Sequence, residues 1–485
     1  MNDECTVFEL SSRGRTGIML PSSDVPDTDA GEILGESALR AELPLPELSQ
    51  ADVVRHYTRL SLRNYGVDTG FYPLGSCTMK HNPKIHESLA ALSGFSMVHP
   101  YQDDSTCQGI LRVLFEMERF LAEIAGMDSV TLQPAAGAQG ELVAMMLFKK
   151  HYERLGDVQR RVVLVPDSSH GTNPATASRC GYEVVKIPSG RDGCVDLQAL
   201  RESLSDDTAA LMLTNPNTLG LFEVQVKEIA RMVHEAGALL YCDGANMNAI
   251  LGVARPGDMG FDAMHFNLHK TFASPHGGGG PGSGPVAVKS FLAPYLPIPR
   301  IVRRDQGFVL EQERPHSIGR AHAFLGNVGV IIRAYLYILG IGGAGLRAVS
   351  ENAVLNANYL LARVGEHYDV PYGNRCMHEF VASATRQKVR GVRAADIAKR
   401  LMDFAFHPPT IYFPLIVPEA LMIEPTETES IETLDAFADA MISIAREAES
   451  DPDIILSAPH SKIRVRIDEA QAARKLELTW QQSGD

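Results

Sequence analysis

Basic residues are too few and too scattered in this 485-residue chain to form a cationic stripe: 45 Lys and Arg stand against 59 Asp and Glu, a net charge of −14. That balance excludes a nucleic acid as the partner. Cysteine is also sparse. The seven present form no C-x-x-C pair, which removes a thiolate metal centre and a secreted disulfide framework, so no metal is expected and a reducing compartment fits. The start, Met1-Asn-Asp-Glu-Cys5, lacks the basic-then-apolar order of a signal peptide, and the cytoplasm is the expected location. No long uninterrupted apolar run exists either: Phe324 to Leu346 carries Arg333 and several glycines, and reads as buried helix and loop, not as a membrane span. There is no repeat of solenoid period.

What is present is an α/β pattern long enough for more than one domain. Residues 1–98 are loop-rich and read as an arm. Residues 99–345 alternate apolar strands with helices such as Val226 to Val233, where Val226, Ile229, Ala230 and Val233 share a face. That alternation predicts a mainly parallel sheet. Residues 346–485 read as a smaller α+β domain, with strands at His378 to Ser383 and Ile411 to Val417, a helix from Arg393 to Phe406, and a last helix starting near Thr426-Glu-Thr-Glu429.

Within this frame one lysine stands out. Lys270 lies in Asn267-Leu-His-Lys-Thr-Phe-Ala-Ser-Pro-His276, just ahead of a segment with six glycines between His276 and Pro285. A lysine so placed can condense with a carbonyl, the anchoring chemistry of pyridoxal phosphate (PLP). Upstream, Gly237-Ala-Leu-Leu-Tyr-Cys-Asp243 reads as a helix-ending glycine, a short strand and a carboxylate at its end. Asp243 suits the PLP pyridine nitrogen, although a strand-end aspartate also forms turns. Gln133-Pro-Ala-Ala-Gly-Ala-Gln-Gly140 opens the apolar run from Glu141 to Phe148, and a glycine-containing helix start offers backbone N–H groups to a phosphate. His170, in Asp167-Ser-Ser-His-Gly-Thr-Asn-Pro174, has two readings: stacking on the cofactor ring, or hydrogen bonding within its own loop. Each apolar strand ends in a polar loop, and ligands of open α/β sheets bind outside those carboxyl ends.

Together with Phe71-Tyr-Pro-Leu-Gly-Ser-Cys-Thr-Met-Lys80, Leu213-Thr-Asn-Pro-Asn-Thr-Leu-Gly-Leu221, Arg255-Pro-Gly-Asp-Met-Gly260 and His407-Pro-Pro-Thr-Ile-Tyr-Phe-Pro-Leu-Ile-Val417, these segments resemble the glycine dehydrogenase (decarboxylating) family. These are the P-proteins of the glycine cleavage system, and the likeness is to subunit 2 of the two-subunit bacterial form, from about Phe8 to Trp480. The resemblance implies the fold type I PLP-dependent transferase fold, of aspartate aminotransferase type. It implies PLP bound covalently at Lys270, Asp243 at the pyridine nitrogen, His170 on the ring, and the backbone of Ala136, Gly137 and Ala138 on the phosphate, with Ala245 also at the cofactor. Gln139 stands where a histidine is expected, which bears on its side chain and not on the backbone donors. The implied reaction is decarboxylation of glycine with transfer of the aminomethyl group to the lipoyl arm of the H-protein. The implied partners are glycine dehydrogenase subunit 1, two of each subunit, and lipoylated H-protein.

Other readings stay open at this stage. Another PLP enzyme, an aldolase or a cysteine desulfurase, would share Lys270 and Asp243, and Cys376 in Gly373-Asn-Arg-Cys376 is the one candidate for a desulfurase nucleophile. A PLP-retaining, non-catalytic partner subunit is a further alternative. Cys77 reads either as a redox-sensitive thiol or as a buried small hydrophobe, and Thr78 and Lys80 are candidates for binding a carboxylate. The segment Gly277 to Gly284 reads either as a ligand-ordered loop or as a tight structural crossing.

Overall fold

A computed structural model describes residues 4–40, 43–99, 102–277, 282–462, 466–476 and 478–479. By internal contacts the chain divides into two compact units, Phe71–His460 and Met1–Gly70 with Ser461–Asp485. In the second of these, the helix Gln50–Ser61 is started by a capping box in which the Ser49 side chain and Asp52 satisfy each other's backbone N–H.

The unit Phe71–His460 is built on a seven-stranded sheet of order β1-β7-β6-β5-β4-β2-β3. Its strands are β1 (Ser129–Thr131), β2 (Val162–Pro166), β3 (Glu183–Ile187), β4 (Thr208–Thr214), β5 (Leu239–Asp243), β6 (Ala263–His265) and β7 (Val286–Val288). β7 runs antiparallel to both neighbours, β1 and β6, and the other pairings are parallel. The expected mainly parallel sheet is therefore present. β2, β4 and β5 are buried at every position, because helices cover both faces, which is why they read as continuous apolar runs. β3, at the edge, exposes Glu183 and Lys186, charges that discourage pairing with another chain.

The helix Gly137–Leu155 turns Val143, Ala144, Leu147 and Phe148 into the core. Each fully buried Leu or Phe contributes about 1.5–3 kcal/mol. Gly156 stops that helix in the left-handed region at φ 74°. The helix Val226–Glu235 buries Val226, Ile229, Ala230 and Val233, the face its spacing predicts.

A three-stranded antiparallel sheet follows, with Ala420–Ile423 between Phe380–Ser383 and Thr410–Ile411. Two expectations are corrected here. The strand expected over Ile411 to Val417 stops after Ile411, where Tyr412 leaves the extended region at φ 58°. The central strand, Ala420–Ile423, is four residues too short and uniformly apolar to show a period. The helix Ile431–Ser450 begins later than expected, with Ser430 accepting from the Thr433 N–H. Phe437 on that helix meets Phe71 edge to face at 5.1 Å.

The apolar run from Phe324 becomes part of the 37-residue helix Val328–Val364, bent at Gly342 (φ 62°). By length and apolar composition it is the one helix among the described residues able to cross a membrane. Ile331 and Ile332 enter the core around the large sheet, while Leu360 and Val364 enter the core of the small one. Arg333 is paired with Glu87 at 2.6 Å.

The small sheet is docked on the loop after β4 by backbone contact. Gly220 has φ 76°, and a Cβ there would lie 1.8 Å from the Glu379 carbonyl oxygen. Gly220→Ala should therefore lower stability by about 1–2 kcal/mol from the left-handed backbone and by about 1–3 kcal/mol from the collision. Urea unfolding checks this, and a loss under about 0.5 kcal/mol would contradict the close docking.

Candidate active site

β5 ends at Asp243, and three elements converge on its carboxylate. Oδ1 accepts from the Ala245 N–H at 3.0 Å, and Oδ2 accepts from Asn173 Nδ2 at 2.9 Å. From β6, His265 Nε2 lies 3.5 Å from Oδ1. The other nitrogen of that ring, Nδ1, is 2.5 Å from the Tyr241 hydroxyl. Burial keeps the Tyr241 hydroxyl protonated, so it donates to Nδ1 and leaves Nε2–H facing Asp243. The carboxylate is 3% exposed. Burial alone would raise its pKa, but His265, the Asn173 amide, the Ala245 N–H and Lys270 outweigh it and hold Asp243 below the usual carboxylate range.

Lys270 lies on the short helix Leu268–Thr271, directly after β6. Its Nζ donates to the Ser76 carbonyl at 2.7 Å. The helix Gly137–Leu155 begins at Ala136, which offers no side-chain cap, so its first-turn N–H groups lack the usual acceptor. At Gly137 a Cβ would lie 2.4 Å from Asn267 Oδ1 and 2.9 Å from His265 Nε2, so the backbone approaches this site where no side chain fits.

A cavity of about 150 Å³ is lined by Lys270, Asp243, His170, Gly137, Ala138 and Ala245. Ala136 is the residue from which the helix departs. His170 Nδ1 is 2.8 Å from Thr172 Oγ1 and accepts from the Thr172 N–H at 3.3 Å; its ring meets Phe413 edge to face at 5.8 Å. It thus bonds within its own loop and also lines the cavity.

Sequence reasoning missed several members. Glu141 lines the cavity, and its Oε1 accepts from Thr172 Oγ1 at 2.6 Å. Burial, and next the charge of Asp243, push its pKa up to about 8. The available signal was a carboxylate opening a run that is otherwise apolar. Thr214 and Asn267 also line the cavity; Glu141 Oε2, Thr214 Oγ1 and Asn267 Oδ1 are buried without a partner among the described residues. Ser76 comes from a segment almost 200 positions before Lys270, and nothing local announces it.

The remaining expectations resolve as follows. Thr78 and Lys80 are engaged by carboxylates of the chain itself. Thr78 Oγ1 donates to Glu424 at 2.5 Å, and Lys80 Nζ sits 2.6 Å from Glu427 in a buried pair. Burial pushes the Cys77 thiol up to about 11, which disfavours a reactive thiolate. Cys376 is pinned by its backbone to Asn358, N–H to Oδ1 at 3.1 Å and carbonyl to Nδ2 at 2.6 Å, and burial raises its thiol far above the usual range. Gln139 ties Ala135 to Ala321. Of the glycine segment, residues 278–281 lie outside the described residues. Its downstream end is held by the Gly284 N–H on the Pro134 carbonyl at 2.8 Å and the Ser283 N–H on His269 Nδ1 at 3.2 Å.

These residues fit PLP. A helix start without a cap suits a phosphate, an ionised aspartate suits a ring nitrogen that carries a proton, and a lysine beside them suits an aldehyde. Buried oxygens without a protein partner among the described residues, at Glu141, Thr214 and Asn267, remain for the ring substituents and substrate. A lysine and an aspartate at the carboxyl ends of this sheet define the fold type I class of PLP-dependent enzymes. Residues 135–279 match the family model "Aminotransferase class-V" and residues 349–463 match "Glycine dehydrogenase, C-terminal domain".

A Bacillus licheniformis protein called probable glycine dehydrogenase (decarboxylating) subunit 2 is 57% identical over 480 residues, covering 99% of both chains. A Halalkalibacterium halodurans protein of the same name is 58% identical, over 99% of this chain and 98% of that one. The chain belongs to the glycine dehydrogenase (decarboxylating) subunit 2 family. In fold it is similar to a crystallised glycine decarboxylase (P-protein) of the glycine cleavage system in inhibitor-bound form, with TM-score 0.73 and 22% identity over 85% of this chain and 94% of that one. It is also similar to a cysteine desulfurase from Thermococcus onnurineus, with TM-score 0.61 and 16% identity over 78% and 95%.

The raised pKa of Glu141 has a signed consequence. Between its ordinary value of 4.5 and about 8 the folded chain holds a proton at Glu141 that the unfolded chain has lost, so stability falls as pH rises through that window. Thermal melting of the cofactor-free protein should show that decline, and Glu141→Gln should make it shallower. An unchanged slope in the variant would contradict a protonated Glu141.

Proposed function

We propose that this chain is the PLP-carrying catalytic subunit of a two-subunit glycine decarboxylase, which releases carbon dioxide from glycine and passes the aminomethyl group to the lipoyl disulfide of the H-protein. The observation that carries this reading is the meeting of Lys270 and an ionised Asp243 at one cavity, in a chain more than half identical to the subunit 2 proteins along its full length. PLP, when bound, supplies an electron sink for the bond that loses carbon dioxide.

The chain's own residues make that sink usable. Lys270 is the covalent attachment point. Asp243 holds a proton at the pyridine nitrogen, and Asn173, the Ala245 N–H and His265 keep its carboxylate oriented and ionised. The backbone at Ala136, Gly137 and Ala138 would hold the phosphate, Ala245 would also lie at the cofactor, and His170 would cover the ring.

Subunit 1 completes the catalytic assembly as two copies of each chain, lipoylated H-protein is the acceptor, and the location is the cytoplasm. A desulfurase reading is disfavoured by Cys376, which is fixed to a helix and holds its proton. A non-catalytic role is disfavoured by the presence of Lys270 with its whole supporting set.

Borohydride reduction of the purified protein followed by peptide mapping should place the pyridoxyl group on Lys270; recovery on another lysine would sink the assignment. Glycine–bicarbonate carbon exchange should rise strongly when subunit 1 and H-protein are both added. Asp243→Asn should retain cofactor yet lower exchange by about 10²–10³-fold, whereas near-native exchange would remove the role given to the aspartate.

A further inference from the structure

A second carboxylate cluster lies behind Lys270, outside the cofactor cavity. Glu379 immediately precedes the strand Phe380–Ser383 and Glu424 immediately follows Ala420–Ile423; Phe380 pairs with Ile423 in an antiparallel register, so the two glutamates face each other at the end of the small sheet. Both are fully buried, and with His378 they bring ligand-type atoms within 4.8 Å of one another. Glu379 Oε2 accepts from the Ser76 N–H at 2.6 Å. Glu424 Oε2 accepts from the N–H groups of Cys77 and Thr78 at 3.1 and 2.9 Å.

Those bonds hold an unusual turn. Ser76 and Thr78 both have positive φ, 63° and 50°, conformations that cost about 1–2 kcal/mol for residues with side chains. The turn directs the Ser76 carbonyl at Lys270 Nζ, 2.7 Å away.

We propose that the Ser76 carbonyl, held by the buried pair Glu379 and Glu424, is the dock that receives the Lys270 amine whenever a substrate amine takes its place on the cofactor. This rests on the reading of Lys270 as the attachment point. In that exchange one C=N bond to Lys270 breaks as one to the incoming amine forms, and the two protons of the incoming amine end on Nζ. Nζ can then take a third proton as an ammonium, for which a carbonyl oxygen and a nearby negative charge are the natural receivers. Glu379 and Glu424 are positioning residues: they act through the turn and through their charge.

Burial raises the pKa of both carboxyls, and at Glu379 the nearness of Glu424 is the next cause, so the two titrate as a coupled pair. The cluster is faced by Lys270, Cys77 and His378, and Lys270 is also faced by Asp243, Glu141, His170, His265, His269 and His276. These remain as a common background in every variant.

The test reads the amine without turnover. Trace acetylation of the cofactor-free full-length chain, followed by peptide mass spectrometry, gives the pH midpoint at which Lys270 becomes reactive. Glu379→Gln and Glu424→Gln should each lower that midpoint by less than the double variant does. The double variant should lower it by about one pH unit, so that Lys270 is labelled about tenfold faster below the midpoint. Where the double variant fails to fold, an unshifted midpoint in both single variants overturns the proposal. A double variant that folds with an unshifted midpoint overturns the proposal. So does a stoichiometric divalent metal in the wild type, which would make His378, Glu379 and Glu424 a metal site. Failure here leaves the pyridoxyl group mapping to Lys270, whereas failure of the attachment reading moves it to another lysine.

Discussion

The site is organised around a carboxylate that stays ionised where water hardly reaches it. An isolated buried carboxylate would take a proton, because desolvation penalises the charged form. Asp243 avoids this through donors from separate elements: the turn after its own strand, the helix that begins at Thr172, and the ring of His265 on the next strand. Those elements meet because β2, β4, β5 and β6 are successive parallel neighbours in the sheet. Their carboxyl ends, and the loops that leave them, then lie on one edge of the sheet. The carboxylate thus sets which elements must be adjacent, and the parallel order satisfies that demand.

The lysine side of the site obeys a different rule. Lys270 follows β6 within a few residues, so the large sheet fixes its backbone, but its amine is received by Ser76 from a segment far earlier in the chain. That segment is folded around the carboxylates of the small sheet, with Gly75 against Met422 and Thr410 Oγ1 donating to the Gly75 carbonyl at 2.9 Å. The small sheet in turn rests on the loop after β4 through Gly220. Each sheet therefore supplies one side of the site, and close backbone approach couples them.

This division accounts for the range of relatives by fold. The likeness to a cysteine desulfurase at 16% identity is a likeness of the sheet and its helices. Chemistry is decided by what the loops carry: here a histidine loop at His170, a helix start at Gly137, and a cysteine at 376 that is locked by Asn358.

Sequence alone determined the parts whose information is local. Continuous apolar runs ending in Asp243, in Thr214 and ahead of Lys270 gave the order of strands, because parallel strands buried on both faces need no alternation. The glycines at 137 and 140 marked a helix start, since backbone approach excludes side chains there. Tertiary structure decided what depends on neighbours distant along the chain. The bond from Thr172 to Glu141, the His265 and Asn173 donors to Asp243, the Ser76 receiver for Lys270, and the pairing of Thr78 and Lys80 with Glu424 and Glu427 each join residues well separated along the chain. The strand Ala420–Ile423 was hidden for a related reason: four apolar residues carry no period, and pairing with Phe380–Ser383 and Thr410–Ile411 is what makes them a strand. Charge and hydrogen bonding at a buried site are properties of a neighbourhood, and only folding assembles it.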